Sequence, residues 1–79
     1  MEEYWIHCSA IEPGAPPRFS VFHIESGKQR VVSPPGRLTE AGEVARLLLA
    51  RGADPGRTAR AIADAARDGI GKIVVRKGN

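Results

Sequence analysis

The stretch that decides the fold is residues 43–60, "EVARLLLARGADPGRTAR". Val44, Leu47, Leu48 and Arg51 fall at helical spacing, which puts three apolar positions on one side. Gly52 is the expected residue just past the helix end, free to take the left-handed conformation that stops it. Asp54 then caps a second helix, and Pro55 takes its first position, where a missing N–H loses nothing. Two helices therefore meet at a short turn. What flanks them decides between an all-helical unit and a mixed one.

Both flanks read as strand. Upstream, Thr39 is the expected N-cap of the first helix, with Glu40 and Glu43 in the first turn, where the helix dipole favours negative charge. Before it, "SPPG" at 33–36 ends a sheet edge, because adjacent prolines cannot sit in a ladder. "FSVFHIE" at 19–25 and "QRVVS" at 29–33 form two strands joined by a short glycine turn, a β-hairpin. "YWIHCSAI" at 4–11 is a first strand, and "EPGAPPR" breaks it into a stiff loop. Downstream, Ala59, Ile62, Ala63 and Ala66 make the apolar stripe of the second helix, and Gly69 ends it. "KIVVR" at 72–76 is the last strand.

The order β-β-β-α-α-β predicts an α+β two-layer sandwich, a mostly antiparallel sheet with two helices on one face. The direction and neighbour of the last strand stay open. At 79 residues the chain reads as one domain, 1–79, with a small core.

Period-two alternation assigns Tyr4, Ile6, Cys8 and Ala10 to one face of the first strand, and Trp5, His7, Ser9 and Ile11 to the other. One of Tyr4 and Trp5 must point away from the core. Phe19, Val21, Phe22 and Ile24 put apolar groups on both faces of the second strand. Helices on one face leave the other apolar and open, a signature of an interaction surface or a homodimer.

Composition excludes more than it identifies. Lys and Arg number 12 against 9 Asp and Glu, a net charge of +3. That permits an anionic partner without requiring one, and it argues against an acidic DNA mimic. The single cysteine, Cys8, cannot form an internal disulfide, which points to a reducing, cytoplasmic setting. No apolar run approaches the ~20 residues of a membrane helix. "MEEYWIHC" lacks the features of a signal peptide.

The chemistry of catalysis is sparse. His7 and Cys8 are adjacent on a strand and point to opposite faces, so they do not share a metal. Cys8 and His23 could meet across strands, yet a strand cysteine is more often a small buried hydrophobe. "ESGKQ" lacks the glycine spacing of a phosphate loop, and "GIGK" at 69–72 precedes a strand rather than a helix. The carboxylates form no pair around a cleft, and Glu40, Glu43 and Asp54 are explained by helix ends. The expectation is a non-enzyme with no cofactor and no metal.

"EVARLLLARGADPG" resembles the second helix and loop of an ankyrin repeat. Ankyrin units need at least about three stacked repeats to bury a core, and strands surround this one. A helix-turn-helix reading would send the second helix into a DNA groove, with Arg57, Thr58 and Arg60 near its start. The sequence offers no third helix to support that pair. A looser nucleic-acid surface would draw on basic groups of the hairpin and last strand, among them Arg18 and Lys28. For nucleic acid the candidate residues are Arg57, Arg60, Arg76 and Lys77; for a protein partner they are Tyr4, Trp5, Arg30 and Arg37.

The layout carried by "FSVFHIESGKQRVV", "ADPGRTARAIADAARDG" and "KIVV" resembles that of small phage-encoded anti-CRISPR proteins, over residues 19–76. The resemblance implies a non-catalytic inhibitor that binds a Cas protein or complex. The helix at 39–51 departs from that pattern, and no inhibitory residue is carried over from it. The reading that follows is a small binding protein that blocks a host defence complex by direct contact. The alternative is a small basic DNA- or RNA-binding domain.

Overall fold

The alternation of the first strand suits a strand with neighbours on both sides, and it takes that place. The computed structural model describes residues 2–10 and 13–76. In chain order the elements are β1 (Glu2–Ala10), β2 (Arg18–Glu25), β3 (Lys28–Val31), α1 (Ala41–Ala50), α2 (Pro55–Asp68) and β4 (Ile70–Val75). The strands form one sheet in the order β3-β2-β1-β4. All three pairings are antiparallel, so the last strand returns beside β1.

The β2–β3 turn follows from its two central residues. Ser26 and Gly27 both take positive φ, 52° and 78°. That pair of left-handed residues is the two-residue hairpin turn whose twist matches its strands. After β3 the chain leaves the sheet at the two prolines and returns at Thr39, which exchanges backbone hydrogen bonds of 2.8 Å with Phe19 in both directions.

Thr39 is therefore not a helix cap. Its hydroxyl donates to the Phe19 carbonyl at 3.0 Å, and Glu40 takes the cap position without a side-chain bond. Tertiary pairing with β2 has claimed the side chain that local capping would have used.

The turn between the helices forms as its residues dictate. Gly52 has φ 94°. Its N–H reaches the Leu49 carbonyl, and that of Ala53 reaches the Leu48 carbonyl, both at 3.0 Å. These two bonds are a Schellman closure. Asp54 accepts from the Arg57 N–H at 2.9 Å and caps α2.

The stripe of α2 is rotated from the expected one. Thr58, Ala61 and Ala65 are buried, Ile62 and Ala66 partly so, and Ala59 and Ala63 are exposed. The alanines of α2 spread over about half of its circumference, so the apolar arc is too wide to fix which strip is covered. The contact that sets it is with Gly71, where an added Cβ would collide with the Ala61 carbonyl. The helix lies directly on the strand there. For the same reason β4 starts at Ile70, two residues before the expected start: Gly71 is a strand residue chosen for close approach.

The core lies between the sheet and the helices. Tyr4, Ile6, Phe19, Val21, Ile73 and Val75 point into it from the strands, and Val44, Leu48, Ala61 and Ala65 meet them from the helices. No helix among the described residues is long and apolar enough to cross a membrane.

Candidate functional site

The register builds the second face of the sheet in three rows. Val31, Phe22, Trp5 and Lys72 form one row across all four strands. Gln29, Ile24, Glu3 and Val74 form the next, and Ser20, His7 and Ile70 the third. Among the described residues no helix or strand packs on this face, and the 34–38 loop borders it beside Ser20 and Val31. Val31 is 48% exposed and Val74 43%, while Trp5, Phe22 and Ile24 are half-buried by one another.

Local contacts hold the rings of this face in place. The Trp5 indole N–H donates to Glu3 at 3.0 Å. The Lys72 ammonium sits 4.6 Å from the Trp5 ring centroid, a cation–π contact. The His7 ring meets Phe22 edge-on at 4.9 Å, and its Nε2 is buried with no hydrogen-bond partner. The surface is thus aromatic and aliphatic, with one carboxylate, one ammonium and the adjacent pair His7 and Ser20.

The candidate residues separate. Trp5 lies on the open face. Tyr4 does not: it is fully buried. Its hydroxyl donates to Glu2 at 2.8 Å and accepts from Arg51 at 3.2 Å. Burial raises its pKa above the usual phenol value; the Arg51 hydrogen bond opposes that rise, and the one to Glu2 adds to it. Tyr4 therefore anchors the end of α1 to β1 and belongs to the core. Arg37 is bound to Glu43 at 2.7 Å, and this bond holds the Glu43 carboxyl below its usual range. Arg30 is exposed on β3, in register with His23.

The nucleic-acid candidates come together in part. Arg57 and Arg60 line a shallow cleft of 260 Å³ between α2 and β4, with Lys72 on its other wall. Arg76 is exposed just past β4. Lys77 lies outside the described residues. Thr58, placed with Arg57 and Arg60 in the helix-turn-helix reading, is buried at 1% exposure and faces no groove.

Cys8 and His23 are not brought together. Cys8 pairs with Phe19 and His23 with Tyr4, four residues further along β1. His23 stacks at a tilt on Tyr4 at 5.0 Å and lies 3.8 Å from Glu2. Among the described residues no group of three or more His, Cys, Asp or Glu is placed to hold a metal ion.

Two contributors to the open face escaped the sequence reading. Val31 belongs to a short strand next to prolines, and Val74 to a run of apolar residues without alternation. Their shared face is visible only once the register is known. No family model, curated protein or solved structure matches the chain.

Proposed function

We propose that this chain is a non-enzymatic binding protein whose working surface is the open face of the sheet. In its specific form, it is an inhibitor from a phage or mobile element, of the anti-CRISPR kind, that covers a site on a host defence complex. The observation that carries the reading is the row Val31–Phe22–Trp5–Lys72 with Ile24 and Val74 beside it. A contiguous apolar patch with a pinned tryptophan at its centre is the usual core of a protein interface. Glu3 in the middle of that face speaks against a phosphate backbone crossing it.

The alternative, a small DNA- or RNA-binding domain, draws support from a different place, the cations Arg57, Arg60, Lys72 and Arg76 along β4. The two readings respond differently to salt. Phosphate-driven binding weakens log-linearly with salt concentration, and an apolar interface does not.

The test is a tagged pull-down from bacterial lysate containing CRISPR complexes, with and without nuclease, run beside the double variant Phe22→Ser/Val31→Ser. A stoichiometric protein partner should survive nuclease and be lost with the variant. Recovery of nucleic acid alone, removed by nuclease or moderate salt, would sink the inhibitor reading.

A further inference from the structure

Among the described residues no strand lies beside the outer edge of β4. Its phase follows from one bond. The Cys8 N–H donates to the Gly69 carbonyl at 3.0 Å, so Gly71, Ile73 and Val75 turn their backbone groups toward β1. Ile70, Lys72 and Val74 turn theirs outward. The edge therefore presents donors and acceptors in alternation, at strand spacing. Another peptide strand answers both kinds of group. A nucleic-acid phosphate can only accept, and it would leave the outward carbonyls unmet.

Four cations stand beside this edge, against Asp64 in the cleft and Glu3 in register with Val74. Arg57 and Arg60 stand over the helix side, Lys72 lies on the open-face side, and Arg76 follows the strand. None of the four has an ion pair among the described residues, whereas Arg18, Arg37 and Arg67 all do. Asp64, which also lines the cleft, is held by Arg67 at 2.8 Å. A second copy paired through β4 would bring both sets of cations together, so the edge is guarded against itself.

We propose that the outer edge of β4 docks an acidic, extended peptide segment, which joins the sheet as a fifth strand. The inference rests on the reading of this chain as a protein-binding module and names the chemistry of the segment. Period-two geometry sets its pattern. Carboxylates at alternate positions face Arg57 and Arg60. Apolar residues between them extend the open face beside Val74 and Ile70.

The probe is a labelled peptide alternating glutamate with valine. Its controls are a peptide of the same composition in two blocks, an alternating lysine–valine peptide and an oligothymidylate. Binding is read by anisotropy, and the site by residue-resolved amide exchange. The alternating acidic peptide should bind, and the amides of Ile70, Lys72 and Val74 should slow by about tenfold or more. Arg57→Glu/Arg60→Glu should weaken binding roughly tenfold, the sum of two exposed charge pairs. Val74→Pro removes an outward N–H that the native ladder does not use, so it should abolish binding while the thermal melt stays cooperative.

Several results would overturn the proposal: equal binding of the two-block peptide, tighter binding of the oligothymidylate, protection without change at those three amides, or a dimer lost on Val74→Pro. Phe22→Ser/Val31→Ser separates the two readings. If the edge fails while that variant still loses its protein partner, the open-face function stands and only the strand-addition site falls.

Discussion

Phe19 and Phe22 lie three residues apart on β2, one on each face of the sheet. Phe19 is fully buried beneath the helices; Phe22 is half-buried, edge-on to His7. The same contrast runs through β1, where Tyr4 and Ile6 are buried while Trp5 and His7, alternating with them, are only partly so. Composition does not separate the faces. Each carries aromatic, aliphatic and polar groups. What separates them is Gly71, which lets α2 approach one side, and the absence of any element on the other. One sheet thus carries similar side chains in two settings: packed into the core on one face, and without a covering element among the described residues on the other.

The sharpest way to break this comparison is to truncate both rings. Phe19→Ala should cost about 3–5 kcal/mol, as expected for a fully buried aromatic. Phe22→Ala should cost less, about 1–2 kcal/mol, since part of its ring is already in contact with water. Urea unfolding followed by Trp5 fluorescence measures both. Equal losses would mean that the open face is part of the core in solution and not a free surface.

Gly71→Ala is next in size. The added methyl meets the Ala61 carbonyl, a backbone atom that cannot step aside, so α2 must lift from β4. A loss of about 2–3 kcal/mol is expected, the range of an overpacked core. The same assay on Lys72→Ala, one residue along and exposed, serves as the reference. If Gly71→Ala unfolds no more easily, the close approach of helix and strand is not what holds the covered face.

Thr58→Val acts in the opposite direction. The Thr58 hydroxyl is buried with no hydrogen-bond partner among the described residues, and a methyl of similar shape removes an unmet polar group. Stability should rise by about 0.5–1 kcal/mol. A fall would reveal a water or other partner for that hydroxyl under α2.

The smallest effect is a pH slope. Burial holds the Tyr4 phenol neutral beyond its usual titration point. An acid whose folded pKa lies above its unfolded value adds stability that is complete below about pH 10 and is lost as pH rises toward the folded value. Urea midpoints should therefore fall as pH rises above about 10, and the fall should shrink in Tyr4→Phe. An unchanged slope in that variant would assign the alkaline loss to the lysines and arginines instead.

The sequence was most legible where structure is local. Gly52, Asp54 and Pro55 specify the inter-helix turn whatever lies around it, because each acts on its own backbone. Ser26 and Gly27 do the same for the hairpin. Legibility failed where a side chain had two suitors. Thr39 could cap α1 or pair with Phe19, and the sheet took it. Tyr4 carries a hydroxyl that suggests a surface, but Glu2 and Arg51 satisfy that hydroxyl inside. The alanines of α2 spread over an arc too wide to choose a covered strip until Gly71 supplies one.

The proposed surface shows the same division. That Tyr4 and Trp5 face opposite ways was legible, because they are adjacent on a strand and must part, and Phe22 and Ile24 were legible as apolar groups on a second face. Val31, Val74 and Lys72 were not, since they come from other strands and meet Trp5 and its row only through register. The clustering of Arg57 and Arg60 with Lys72 has the same origin: α2 and β4 are consecutive in the chain, but which flank of the helix overhangs the edge depends on packing.

By itself the sequence determined the element order, both helix ends at the central turn, the hairpin and the presence of apolar groups on two sheet faces, because periodicity and backbone preference act over a few residues. Only the tertiary structure decided that β4 lies antiparallel beside β1, which face the helices cover, and that an unpaired edge flanked by four cations is left over. Those outcomes depend on contacts between residues dozens of positions apart, and no local preference encodes them.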